Sequence, residues 1–138
     1  MVRGARKLDT RALQRVFGAY SDILAVYLFG STVSGRSHRD SDIDLAIVPR
    51  NSSVKAKKLD ILTDLSRIGY CDVDLLFLDT DDIVLKFEAI RENRLLYQVK
   101  DFDRGGMYSR VVREYLDFLP YLKVQRRGYK RRIMSDQA

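Results

Sequence analysis

Two short apolar runs, Leu24–Phe29 and Leu45–Val48, sit on either side of a polar, glycine- and serine-rich segment, and that arrangement narrows what the chain can fold into. Each run is too short for a core helix and is bounded by turn-forming residues, so each reads as a β-strand. The first delivers Gly30-Ser31. Ten residues later, Asp42-Ile43-Asp44 leads directly into the second. Strand side chains alternate faces, so Asp42 and Asp44 project together while Ile43 faces the core. Two carboxylates held this way suit hard divalent cations, which prefer oxygen ligands. A Gly-Ser bend at a strand end offers backbone N–H groups and a hydroxyl to a phosphate. The combination implies phosphoryl or nucleotidyl transfer.

A third carboxylate lies in another apolar run, Val73 to Leu78, where a charge is expensive without a partner. Asp72 and Asp74 share a face opposite Val73, Leu75 and Phe77. If this strand pairs beside the Asp42–Asp44 strand, Asp74 completes a cluster of three carboxylates. Such a cluster repels itself until a metal is bound. Two ions roughly 3.5–4 Å apart would clamp the attacking and departing oxygens of an in-line displacement. A lone Asp-x-Asp is a common solvated strand end; the joint pattern carries the argument.

The remaining elements follow from periodicity. Asp9 or Thr10 opens a helix with Leu13, Val16, Phe17 and Tyr20 on one face. Ser52 or Ser53 caps a second, with Leu59, Leu62, Leu65 and Ile68 near one face, closing near Gly69. Asp79-Thr80-Asp81 start a third, bearing Ile83, Val84, Phe87 and Ile90. Leu95 to Val99 reads as a short edge strand. Val112, Tyr115, Leu116 and Leu119 have helical spacing, which Pro120 is expected to kink or break. The order predicts one α/β (α+β) domain over 1–138, a small mixed sheet flanked by helices, with a core over about 9–100 and a C-terminal helical segment over about 104–134.

Composition bounds the rest. Hydrophobic residues make up 46% of the 138 and charged residues 32%, which is a globular balance. No apolar run approaches the ~20 residues of a membrane span, and the first residues lack a signal-peptide core. A single cysteine, Cys71, excludes an internal disulfide and reads as a half-buried strand-edge residue, so a cytoplasmic protein is expected. The net charge of +6 gathers at the ends: Arg3, Arg6, Lys7, Arg11 and Arg15 at one, and Lys123, Arg126, Arg127, Lys130, Arg131 and Arg132 at the other. These are solvated helix faces or anion-binding patches. No zinc-finger or RNP-like motif accompanies them, so nucleic-acid binding is possible but not required.

Gly30-Ser31, the spacer and Asp42-x-Asp44 resemble the signature of the DNA polymerase β-like nucleotidyltransferase superfamily. The SDIDLAIV context, the short length and the tail from Arg113 to Arg127 resemble the minimal nucleotidyltransferases, the MNT antitoxins. That resemblance implies a nucleotidyltransferase fold and ATP as substrate. It implies that Asp42 and Asp44 bind two Mg²⁺ ions, with Asp74 completing the metal site and helping to deprotonate the incoming hydroxyl. Gly30 and Ser31 would hold the terminal phosphates. The implied partner is a HEPN-domain ribonuclease toxin in a hetero-oligomer, and the implied reaction transfers AMP to a toxin tyrosine. One departure stands out: many relatives have an arginine before the glycine matching Gly35, where this chain has Ser34. A phosphate contact is then either missing or supplied by Arg36 or Arg39.

Other readings stay open. The chain masks a toxin by contact alone, or it modifies a small molecule or an RNA. His38, the only histidine, reads better as a solvated loop residue than as a base. Tyr108, Tyr115, Tyr121 and Tyr129 are candidates for stacking on adenine, although Tyr115 also fits a helical core pattern.

Overall fold

The computed structural model describes residues 8–30 and 43–137, with side chains through residue 125. Helix α1 (Thr10–Gly18) leads to strands β1 (Ile23–Phe29) and β2 (Ile43–Pro49). A 3₁₀ turn (Ser52–Lys57) runs into α2 (Lys58–Arg67), followed by β3 (Val73–Phe77), α3 (Ile83–Ile90), β4 (Arg94–Gln98) and α4 (Arg104–Gln137). The strands form one mixed sheet in the order β3-β2-β1-β4. Strand β1 runs antiparallel to β2 and β4, and β2 runs parallel to β3. The mixed α/β sheet expected from the pattern is present, and β4 is indeed an edge strand.

Strand alternation divides the core in two. Val26, Leu28, Ile43, Leu45, Ile47 and Leu75 face α1 and α2, meeting Leu13, Phe17, Ile61 and Leu65. Ala25, Tyr27, Ala46, Val48 and Leu78 face α3 and α4, meeting Ala89, Ile90, Met107 and Val111. Each such fully buried Leu, Ile or Phe contributes roughly 1.5–3 kcal/mol. The Tyr27 hydroxyl is buried with no hydrogen-bond partner among the described residues, and burial raises its pKa. Tyr20, just past α1, donates to the Asp64 carboxylate over 2.5 Å and ties α1 to α2. Burial first, and that hydrogen bond second, push its pKa up to about 12.

Several expectations need correction. The inner face of α2 is Ile61 and Leu65, whereas Leu59 and Ile68 are exposed. The 3₁₀ turn rotates the helix relative to where a cap at Ser52 or Ser53 would set it. Asn51 caps the 3₁₀ turn, its side chain accepting from the Ser53 N–H, and α2 itself follows from Lys57 with no side-chain cap. Helix α3 is capped by Asp82, which accepts from the Leu85 N–H, while Thr80 accepts from Asp82. Cys71 is exposed in the loop before β3. Pro120 does not break α4, which continues for 34 residues. A proline inside a helix removes one i→i−4 bond, and the flanking turns carry the helix past it. No helix among the described residues is long and apolar enough to cross a membrane.

Candidate active site

Strand pairing brings three of the sequence-predicted residues, Gly30, Asp44 and Asp74, to one end of the sheet. Phe29, the last residue of β1, pairs with Asp44. Asp44 in turn pairs in register with Asp74 on parallel β3. The Ile43 N–H donates to the Asp72 carbonyl over 2.9 Å and zips the starts of these two strands together. Paired residues on adjacent parallel strands point to the same face about 4.8 Å apart, a separation that one cation can bridge. Asp44 shares its face with Ala46 and Val48, and Asp74 with Leu76 and Leu78, so both lie on the α3–α4 side. Asp44 is half-buried and Asp74 is exposed. Asp74, the residue inferred from its position in an apolar run, thus stands beside Asp44 rather than away from it.

Gly30 closes the third side. Its φ is 72°, the left-handed region that a side chain rarely adopts. A Cβ there would collide with the Asp44 carboxylate, lying 3.1 Å from its Cγ. Glycine is therefore required twice over, for the turn and for the close approach of backbone to carboxylate. The sequence marked Gly30 as a phosphate-binding candidate; its packing on Asp44 was visible only once β1 and β2 were paired.

Asp42 and Ser31 lie outside the described residues, as do Ser34, Gly35, Arg36, His38 and Arg39. Among the described residues no group of three or more His, Cys, Asp or Glu could hold a metal. Asp44 and Asp74 supply two carboxylates on one face of the sheet. An all-oxygen set of this kind fits Mg²⁺.

The tyrosine candidates separate. Tyr115 stacks on Phe87 of α3, with ring centroids 3.9 Å apart and planes at 5°, so it serves helix packing. Tyr121 is exposed on α4, near Phe118.

Comparison with known proteins places this geometry. The model of the polymerase beta nucleotidyltransferase domain matches residues 11–102. The chain belongs to the polymerase beta nucleotidyltransferase family. Within it, the chain is similar to the protein adenylyltransferase MntA of Shewanella oneidensis, with 30% identity over 78 residues. The alignment takes in 56% of each protein, so the chain spans about half the length of that relative. The nucleotidyltransferase fold also recurs in a crystal structure of a toxin–antitoxin with AMP-PNP, with a TM-score of 0.70 and 22% identity over 92% of this chain and 99% of the other. It recurs again in the complex of tri-AMPylated Shewanella oneidensis HEPN toxin with MNT antitoxin, with a TM-score of 0.60 and 17% identity over 92% and 99%.

Proposed function

We propose that this chain is an antitoxin of the minimal nucleotidyltransferase type, a protein adenylyltransferase that moves AMP from ATP to a tyrosine of a cognate HEPN toxin and so neutralises it. The observation that carries the reading is the in-register pairing of Asp44 with Asp74 beside Gly30, on a nucleotidyltransferase fold. The name of MntA and the AMPylated toxin in the related complex supply the acceptor class.

In this mechanism Asp42, Asp44 and Asp74 would hold Mg²⁺. The chemistry it would supply there is neutralisation of the charge developing on the α-phosphate and the pyrophosphate. Gly30 keeps the β1 turn tight against Asp44, and Gly30 with Ser31 would receive the terminal phosphates. Asp74, the exposed carboxylate of the pair, accepts the proton of the incoming tyrosine hydroxyl. The phenolic oxygen bonds to the α-phosphorus, the bond to the β-phosphate oxygen breaks, and pyrophosphate leaves. Alignment of two held reactants supplies much of the rate. The setting is the cytoplasm, in a hetero-oligomer with the toxin.

The test is incubation of the purified chain, its neighbouring HEPN protein and Mg²⁺ with ATP labelled at the α-phosphate. Label is expected on the toxin. A folded, bound toxin that stays unlabelled overturns the transferase reading. A folded Asp44→Asn variant that still neutralises at matched expression indicates masking by contact. Label on a small molecule or an RNA instead redirects the acceptor.

A further inference from the structure

Helix α4 changes character along its length. Its first turns are built into the body: Met107 and Val111 are buried against Ala89 and Ile90, and Asp103 caps it by accepting from the Gly106 N–H. From Tyr115 to Gln125, where the described side chains end, no α4 residue belongs to either core cluster. Yet the stretch from Leu116 to Val124 stays largely apolar, broken only by Asp117 and Lys123. Leu116, Tyr121 and Val124 are 58%, 68% and 64% exposed. Leu116, Pro120 and Val124 follow one another at i, i+4, i+8, so they form a stripe on the outer face of the helix. Clustered apolar exposure of this kind marks an interaction site.

Charge selects the occupant. Between Arg104 and Gln137, α4 carries nine Lys and Arg against three Asp and Glu, so this one helix holds the whole formal charge of +6. A second copy laid parallel along the stripe would set the basic run Arg126 to Arg132 of one helix against that of the other. Like charges across an interface are strongly disfavoured. The complementary surface is a protein groove with an apolar floor and an acidic rim.

We infer that the outer half of α4, through Leu116, Pro120, Tyr121 and Val124, is the docking surface for the acceptor protein, received in an apolar groove rimmed by Asp and Glu. The partner's identity rests on the proposed transferase function. The docking mode is an apolar helix face seated in a groove, with the basic end of the helix steering the encounter. Placing the dock on α4 and the chemistry at the end of β1–β3 leaves recognition and transfer on separate elements.

The experiment compares the full chain with a Leu116→Asp/Val124→Asp double variant, both positions being exposed, and with Leu59→Asp, which alters the exposed leucine of α2. Calorimetric titration with the neighbouring HEPN protein is expected to show affinity weakened roughly 30-fold or more in the double variant and unchanged in Leu59→Asp. In labelled-ATP assays the double variant raises KM for the acceptor and keeps kcat at saturation. If the wild type binds the HEPN protein without labelling it, and the double variant loses that binding, docking stands and the transferase reading fails. Unchanged affinity in the double variant overturns the inference. So does a wild-type dimer that the substitutions dissociate in sedimentation velocity. Sedimentation with phosphatidylserine-containing vesicles that the substitutions abolish, with acceptor binding intact, overturns it too.

Discussion

The two ends of the sheet use the same residue type in opposite ways. At the end where β1 begins, Asp22 accepts from the Lys57 ammonium over 2.8 Å, from the Ser53 hydroxyl over 2.6 Å and from the Asn51 amide over 3.4 Å. Those contacts, Lys57 first, lower its pKa to about 2. Beside it Arg50, at the end of β2, pairs with Asp101. At the end where β1 finishes, Asp44 and Asp74 stand side by side against a glycine. Asp74 forms no salt bridge among the described residues. A carboxylate locked by its own chain's cations fastens a loop. Two carboxylates set side by side on one face, beside a glycine, offer the oxygen ligands that a hard cation takes.

The contrast breaks first at the carboxylate pair. Asp44→Asn or Asp74→Asn is expected to lower AMP transfer about 10³-fold or more, with the melting temperature little changed, as read by single-turnover labelling and thermal denaturation. Gly30→Ala comes next. The left-handed backbone disfavours alanine by about 1 kcal/mol, and the added methyl displaces the Asp44 carboxylate, so transfer falls about 10–100-fold. Retention of full activity by Gly30→Ala would remove the packing argument.

At the opposite end, Asp22→Asn is expected to lower the melting temperature at neutral pH and leave kcat unchanged. Its folded pKa lies below the ordinary value of 3.8, so its stabilisation is present above that value and is lost as pH falls from there towards 2. Melting curves from pH 5 to pH 2 should show that loss in the wild type and a flatter profile in Asp22→Asn. The smallest effect is expected at Tyr27→Phe. Removing an unpartnered buried hydroxyl should stabilise the fold by about 1 kcal/mol; a clear destabilisation would reveal a partner for it.

Much of this was legible in residue order. Alternating and apolar runs located all four strands, and the burial of Leu13 and Phe17 follows the i, i+4 spacing that predicted α1. The Asp74 assignment needed only a charge in an apolar strand and the assumption that β3 neighbours β2. Boundary chemistry was harder. Asn51 and Asp82 won the caps from nearby Ser and Asp residues because several candidates cluster there, and only backbone geometry selects among them. Periodicity also failed to tell burial from exposure. Leu59 and Leu116 sit in helical apolar patterns that resemble core stripes, yet both face outward. What a stripe packs against is set by tertiary placement, and among the described residues Leu116 to Val124 join neither of the two core clusters.

The most direct test of the central claim is Mn²⁺ titration, followed by electron paramagnetic resonance, with a non-hydrolysable ATP analogue present. Wild type and Asp22→Asn are expected to take up the ion alike, while Asp44→Asn and Asp74→Asn each lose most of that uptake. Full uptake by both Asp44→Asn and Asp74→Asn would contradict the assignment of the cation to this end of the sheet.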